Sequence, residues 1–254
     1  MTNYTSFLLE EWITRIQNCQ SSQMLADVLA DLAKENNFEF FCLCLSLRRG
    51  LQQTELMLLT QTPSDWQDKY AENATIQNDP LFKRAQRQTS PITWHKYSQD
   101  KELLEAMSVW QETGLEQGIA FPLHGPHGFG GYLSMSRRQQ TALNVRQSIH
   151  LMCLSQYILE QAFLIFSPEK TGFSCREKEC LFWVSEGKTS WEIAQILGIT
   201  ERTVNFHLNN AIRKSGCKNR YQTVAKSIIT GELAHAMNRV NVRHCVHQSL
   251  SFAV

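Results

Sequence analysis

Polar and basic side chains are concentrated in one stretch toward the C-terminal end of the chain. Residues 201–215 have no acid after Glu201, and they include Arg202, Asn205, His207, Asn209, Asn210, Arg213 and Lys214. Guanidinium and ammonium groups hold phosphate oxygens, and side-chain amides hydrogen-bond to the edges of bases. These residue types therefore suit contact with a nucleic acid.

The charge balance supports the same interpretation. The 254 residues carry a formal charge of only +1, yet residues 173–231 contain nine Lys and Arg against five Glu. Residues 202–226 contain six basic residues and no acid. A locally basic unit in a neutral protein indicates a polyanion as partner.

The elements around this stretch predict a helix-turn-helix. Ser174-x-x-Glu177 and Thr189-x-x-Glu192 are capping boxes that begin helices, Gly198 can end the second helix, and Thr200 can cap the next. A short helix, a tight turn and a longer polar helix make this motif, although a solvated face on an ordinary helical bundle has the same pattern. The residues expected to face inward are Ile193, Ile196, Leu197, Val204, Leu208, Ala211 and Ile212, followed by Val224, Ala225, Ile228 and Ile229 on a last helix, 220–230.

These segments resemble the DNA-binding domain of the LuxR family. The matching motifs are Ser174-x-Arg-Glu-Lys-Glu-x-Leu181, Glu186-Gly-Lys-Thr189, Glu192-Ile-Ala194, Thr200-Glu-Arg-Thr-Val-Asn-Phe-His207 and Asn219-Arg220. The resemblance implies that 201–215 is the recognition helix and that Asn205 and Asn209 contact bases, for which adenine N6/N7 is a suitable edge. It implies phosphate contacts for Arg202, Arg213, Lys188, Lys214, Thr189 and Ser190. His207 fits either a DNA contact or a hydrogen bond within the domain.

The chain in front of this unit predicts an α+β fold. Its pattern indicates an N-terminal α/β/α sandwich around a mostly antiparallel sheet, followed by an all-α C-terminal domain of four helices. The expected elements are a helix over 6–36, strands over 38–47 and 55–60, a hairpin of 118–123 with 131–136, and a helix over 144–165.

The first domain resembles the quorum-sensing branch of the same family, which binds N-acyl-homoserine lactones. The matching motifs are Thr62-Pro-Ser-Asp-Trp66, Tyr70, Asp79-Pro80 and Pro91-Ile-Thr-Trp94. The resemblance implies that the Trp66 indole donates to the lactone carbonyl and that the Asp79 carboxylate accepts the amide N–H of the ligand. Tyr70 and Trp94 would be aromatic walls, and Ser134 a donor to the acyl carbonyl or a 3-oxo group. Singly, the two Trp residues also fit a plain core, and Asp79 fits a plain helix cap.

Two positions depart from the family pattern. Thr62 stands where many members have a Tyr that donates to the amide carbonyl of the ligand. Tyr132 stands where a smaller side chain is common, which would shorten or redirect the channel for the acyl tail. Both departures bear on which ligand the pocket accepts.

The resulting organisation has a ligand-binding domain at 1–166, a linker at 167–172, a DNA-binding domain at 173–233 and a C-terminal extension at 234–254. The expected function is a quorum-sensing transcriptional regulator, not an enzyme, that binds an N-acyl-homoserine lactone as effector and needs no cofactor or metal. Its expected partners are double-stranded DNA as an inverted repeat, a second copy of the chain and RNA polymerase. No membrane is expected, and the eight scattered cysteines fit free thiols in a reducing cytoplasm. The alternative is a DNA-binding regulator whose first domain is an interaction module or binds a different small molecule.

Overall fold

Residues 2–48, 54–62, 79–95, 114–139, 141, 144–167 and 171–233 are described by a computed structural model. The chain divides into two units, Met1–Glu169 and Lys170–Val254, which are treated separately.

The first unit begins with two helices rather than the single predicted one. Helix α1 is Thr2–Gln17 and helix α2 is Ser22–Glu35. Between them Ser21 is extended, with φ −141°, and its side chain accepts a hydrogen bond from the Met24 N–H. This is an N-cap, so the prediction of one helix over 6–36 is wrong. Apolar residues recur at helical spacing on both sides of the cap, which hides the break in the sequence pattern.

Five described strands form one antiparallel sheet in the order β2-β1-β5-β4-β3. The strands are β1 Phe40–Arg48, β2 Thr54–Thr60, β3 Ile92–His95, β4 Gln117–His124 and β5 Gly130–Arg137. The predicted hairpin is β4 with β5, joined through a short 3₁₀ turn at Pro126–Gly128. Gly131 allows the close approach of β1, because a Cβ there would lie 2.0 Å from the Cys44 carbonyl oxygen.

The sheet has helices on both faces. Phe41, Leu43 and Leu45 of β1 join the main core, which also contains buried side chains of α1, α2 and the long helix α4, Val145–Phe166. The alternate residues Cys42 and Cys44 lie on the other face with helix α3, Pro80–Ala85. The predicted α/β/α sandwich around an antiparallel sheet is therefore confirmed.

Helix α4 is capped by Asn144, whose side chain accepts from the Arg146 N–H. By length and composition this helix could cross a membrane. Its residues Leu151, Leu154 and Ile158 are buried in the main core, as expected for a core helix packed on a sheet.

The second unit has four described helices, α5 Cys175–Ser185, α6 Ser190–Leu197, α7 Glu201–Ser215 and α8 Arg220–Ile229. Both predicted capping boxes are present, and Gly198 ends α6 with φ +65°. Thr200 caps α7 through the Thr203 N–H. The expected all-α, four-helix organisation is confirmed.

Two residues that were expected to face inward do not. Ile196 is 44% exposed and Ile228 is 55% exposed. The buried residues of α6 include Ser190, Ile193 and Ala194, and a rotation of about 100° per residue turns Ile196 away from that side. On α8 the buried residues are Thr223, Val224 and Ser227, so small hydroxyl side chains replace the expected isoleucines.

Candidate ligand pocket and nucleic-acid interface

The second face of the sheet and α3 bury one apolar cluster of side chains, which we call the chamber. Across the strands, Cys42 pairs with Ser134, Ser134 with Ala120, and Ala120 with Ile92. The expected aromatic wall Trp94 is 2% exposed and lies against Gly118, where a Cβ would be 2.3 Å from Trp94 Cζ2. The glycine therefore makes the space that the indole fills.

Asp79 is both a helix cap and a polar group of this chamber. Its Oδ1 accepts from the N–H groups of Leu81 at 2.8 Å and Phe82 at 3.2 Å, which begins α3. Its Oδ2 accepts from the Tyr132 hydroxyl at 2.9 Å. The two interpretations of Asp79 are thus compatible, because the cap uses one carboxylate oxygen and the other faces Tyr132.

Thr62 and Ser134 are both buried. Thr62 Oγ1 lies 2.9 Å from Thr60 Oγ1, and Ser134 Oγ donates to the Cys42 carbonyl at 3.4 Å. Trp66 and Tyr70 lie outside the described residues, so their predicted roles stay predictions.

Sequence reasoning did not assign Cys42 and Cys44 to the chamber. Burial, followed by the proximity of Cys44 and Asp79, raises the pKa of the Cys42 thiol well above its ordinary value, so the thiol remains protonated. The strand predicted over 38–47 places both cysteines on one face, but which face depends on the pairing of β1 with β5.

A cleft of about 900 Å³ lies along the same face of the sheet. Its lining includes Ser46 of β1, Phe82 of α3 and Gly130 of β5, with the cations Arg48 and Lys83. Gly130, Tyr132 and Ser134 alternate along one face of β5, so Tyr132 stands between the cleft and Ser134.

In the second unit, α7 presents a polar face on the side opposite its buried residues Val204, Leu208, Ala211 and Ser215. Arg202, Asn209 and Arg213 are exposed, and Asn205 is half-buried. Arg213 donates to Asn210 Oδ1 at 3.2 Å. His207 is half-buried with its ring 5.7 Å from that of Phe206, so its role stays open.

Of the predicted DNA contacts, the structure brings Ser190 and Asn205 together. Ser190 is 7% exposed, donates to Asn205 Oδ1 at 2.8 Å and accepts from Arg220 Nη1 at 3.0 Å. Thr189 is exposed and caps α6, while Lys188 lies 3.8 Å from the Glu192 carboxylate. Sequence reasoning missed Phe206, which lies between Asn205 and Asn209 in the sequence and is 61% exposed. A large apolar residue outside the buried stripe of a helix is a signal that could have identified it.

Lys214 is tied to the domain interior. Its Nζ lies 2.8 Å from Glu177 Oε2 and donates to the Gly172 carbonyl at 3.2 Å. Burial raises the pKa of Glu177, but the hydrogen bonds from Lys214 and Ser174 and the Lys214 charge outweigh burial, so the pKa lies below its ordinary value. The contact gives Lys214 a structural role, and its phosphate contact stays a prediction.

Comparison with known proteins identifies the domain type of each unit. An autoinducer binding domain model matches residues 21–162, and the model of bacterial regulatory proteins of the luxR family matches residues 171–227. The transcriptional activator AhyR of Aeromonas hydrophila is 36% identical over 92% of this chain and 95% of its own length. The chain belongs to the LuxR family.

Other LuxR-family comparisons agree. The transcriptional activator LuxR of Aliivibrio fischeri is 30% identical over 87% of this chain and 92% of its own length. The crystal structure of SdiA from Escherichia coli superposes with a TM-score of 0.77 at 26% identity, covering 90% of this chain and 99% of SdiA. This LuxR-family chain is a quorum-sensing transcription regulator with an autoinducer-binding and a DNA-binding domain.

Replacing Lys214 with Met should destabilise the second unit by about 1–3 kcal/mol at neutral pH, because buried Glu177 would lose a charged hydrogen-bond partner. The folded-state pKa of Glu177 is depressed, so the stabilisation is present above the unfolded pKa of about 4.3 and is lost as the pH falls through the folded-state value. Amide hydrogen exchange of α5 and α7 between about pH 7 and pH 3 measures this difference.

The matched control is Arg213→Met, because Arg213 is exposed on the same turn of α7 and hydrogen-bonds only a surface amide. That variant should change local stability by less than about 0.5 kcal/mol. An equal loss for both variants, or a Lys214 effect that is undiminished at low pH, would contradict the assignment of the ion pair.

Proposed function

We infer that this regulator binds an N-acyl-homoserine lactone in the first unit and, as a dimer, binds an inverted-repeat promoter site. The proposal of a lactone rests on the Asp79 carboxylate. This carboxylate accepts hydrogen bonds from the start of α3 and from Tyr132, next to a buried apolar cluster. A carboxylate only accepts hydrogen bonds, so it suits the amide N–H of an acyl-homoserine lactone. Trp66 would donate to the lactone carbonyl, and Tyr70 would pack on the head group.

The directions of the hydrogen bonds favour Ser134 rather than Thr62 as the donor to the amide carbonyl of the ligand. Thr60 Oγ1 donates to the Phe41 carbonyl at 3.0 Å, so its single hydrogen is used there. The hydrogen between the two threonines must then come from Thr62, whose hydroxyl is directed to Thr60 at 2.9 Å. Within the described residues, Ser134 Oγ makes one long hydrogen bond, of 3.4 Å to the Cys42 carbonyl, which a ligand carbonyl can replace.

Tyr132 supports a ligand with a short acyl chain. Its side chain is fully buried, and its hydroxyl is fixed on Asp79. A chain that leaves Asp79 and Ser134 toward the cleft at Gly130 meets this ring first. Because the Tyr132 ring fills that space, the methylene groups of a long acyl chain could not be buried there. Each would lose a stabilisation of about 0.8 kcal/mol.

An acylglycerol is a second class of ligand that the binding experiment should include. The structure of SdiA in complex with octanoyl-rac-glycerol superposes with a TM-score of 0.77 at 26% identity and covers 92% of this chain. An acylglycerol has an acyl chain and a polar head but no amide N–H, so it would leave the Asp79 carboxylate without that donor. This difference separates the two classes of effector.

Thermal unfolding of the full chain should detect the lactone. A lactone at 100 times its dissociation constant stabilises the folded state by about 2.7 kcal/mol, which corresponds to a melting temperature higher by roughly 5–10 °C. Asp79→Asn keeps a good N-cap but replaces an acceptor with a donor, so it should abolish the lactone effect. Ring-opened lactone and octanoylglycerol are the matched controls.

If the wild type responds to octanoylglycerol and to no lactone, the second class is correct. If neither raises the melting temperature, the first unit is an interaction module or binds a different small molecule.

Tyr132→Ala tests the proposed limit on the acyl chain. The wild type should respond most to butanoyl- and hexanoyl-homoserine lactone, and Tyr132→Ala should shift the optimum to octanoyl or longer chains. Tyr132→Phe keeps the ring volume and loses the bond to Asp79, so it should keep the preference for short chains. A wild type that already prefers dodecanoyl lactone would refute a short chain.

Helix α4 supports dimerisation through the first unit. The side turned away from its core contacts exposes Val145, Ile149, Met152 and Leu164, with exposures of 74%, 58%, 38% and 67%. An apolar stripe of this kind on a helix indicates a partner surface, and a twofold axis lets the same stripe serve both copies. The two second units could then occupy half-sites separated by whole turns of DNA.

Cys153 provides a test of this dimer. It is exposed beside Met152 near the middle of α4, so a twofold axis through the centre of the stripe brings it close to its own copy. Mild oxidation should give a disulfide-linked dimer on a non-reducing gel, and both Cys153→Ser and Ile149→Glu should prevent it. Light scattering should find Ile149→Glu monomeric. A dimer that survives Ile149→Glu without crosslinking would place the interface elsewhere.

As a regulator that acts on DNA, the protein is expected to work in the cytoplasm, with RNA polymerase as a further partner at the promoter. We propose no catalytic, metal or cofactor role, and its relatives are transcriptional activators. The domain limits 1–166, 173–233 and 234–254 stay part of this proposal.

A further inference from the structure

Three helices of the second unit are joined by a chain of two hydrogen bonds that ends on the recognition helix. Arg220, the first residue of α8, donates from Nη1 to Ser190 Oγ at 3.0 Å. Ser190, the first residue of α6, lies 2.8 Å through the same Oγ from Asn205 Oδ1 on α7. Ser190 is 7% exposed, so the middle of this chain is shielded from water.

The chemistry of the three groups fixes the direction of the chain. A guanidinium has donors only, so Ser190 must accept from Arg220. The one hydroxyl hydrogen of Ser190 is donated to the Asn205 amide, which accepts it at its carbonyl oxygen, Oδ1. The orientation of an amide is normally assigned from its partners, and Arg220 favours this orientation because it already uses one lone pair of Ser190.

Asn205 and Asn209 therefore differ although they are four residues apart on one helix. Ser190 uses one lone pair of the Asn205 Oδ1 and holds that oxygen toward the start of α6, so the NH₂ group is the end without a hydrogen bond in the described part of the chain. Asn209 is exposed, and its side chain makes no hydrogen bond within the described part of the chain, so both its oxygen and its NH₂ are available. An asparagine of the second kind is free to make the two-bond contact with adenine N6 and N7.

We propose that Ser190 and Arg220 are positioning residues that hold the Asn205 oxygen toward α6 and present its NH₂ group to DNA, so that Asn205 prefers the acceptors of guanine O6/N7 or thymine O4 to the two-bond contact with adenine N6 and N7. Asn209 reads adenine by the two-bond contact. This assignment modifies the expectation of an adenine contact for Asn205, and it gives buried Ser190 a role in place of a phosphate contact. It concerns the DNA-binding domain and does not depend on which ligand the first unit binds.

The test is selection of duplex DNA from a library randomised over two half-sites, with the full chain and its variants. Asn205→Ala identifies the base pair that Asn205 reads, because the preference at that position disappears. At this position the wild type should select guanine or thymine on the contacted strand, with a discrimination of about 5- to 100-fold. Replacing the selected guanine with 7-deazaguanine should weaken binding if N7 is an acceptor.

Removal of the two hydrogen bonds should allow the Asn205 amide to rotate. With Ser190→Ala or Arg220→Met, Asn205 can present either end, so adenine should become accepted at this one position while the other positions are unchanged. Arg220→Lys keeps a group that only donates, and it should retain the wild-type preference. A residue that merely supports the fold would weaken binding to all sequences alike and leave the base preference intact.

Two results would overturn the proposal. One is a wild type that selects adenine at the position mapped by Asn205→Ala. The other is an unchanged base preference in both Ser190→Ala and Arg220→Met, whatever their affinity, because the hydrogen bonds would then not determine how Asn205 reads DNA.

Discussion

Strand β1 contributes side chains to two separate buried clusters, one on each face of the sheet. The packing of the first unit depends on this division. Leu43 and Leu45 are buried with the helices of the main core, while Cys42 and Cys44 line the chamber on the other face. Because successive side chains point to opposite faces, a slip of one residue against β5 would exchange the two sets. The pairing of Cys44 with Tyr132 and Cys42 with Ser134 fixes which groups face α3.

The local signals in the sequence predicted most of the second unit. Capping boxes at Ser174 and Thr189 and the left-handed Gly198 act within a few residues, so their effect can be derived from spacing alone. The same reasoning failed at Ser21, where a cap interrupts an unbroken apolar pattern. It also failed at Ile196, because an eight-residue helix buries only one narrow side.

The hydrogen-bond partners of the predicted site residues could not be derived from the sequence. The bond from Tyr132 to Asp79 joins positions 53 residues apart, and the bond from Arg220 to Ser190 spans 30. Neither pairing follows from periodicity or capping, since each depends on how distant elements pack. In both units, a group that can only donate or only accept hydrogen bonds determines the direction of the hydrogen bonds that its neighbours make. The Phe41 carbonyl only accepts and so directs the two threonine hydroxyls, whereas the Arg220 guanidinium only donates and so directs Ser190 and Asn205.

The packing also changes the interpretation of the basic charge that first drew attention to this unit. Lys214 pairs with Glu177, Lys188 lies near Glu192, and Arg176 pairs with Glu179. Arg220 donates to Ser190 within the domain. A count of basic residues therefore overstates the cations that are free to hold phosphate, and Arg202 and Arg213 are the exposed cations of α7 that have no acidic partner in the described part of the chain. With fewer free charges, phosphate contacts would supply a smaller share of binding, and under our proposal the orientation of the two asparagines would contribute more to base recognition.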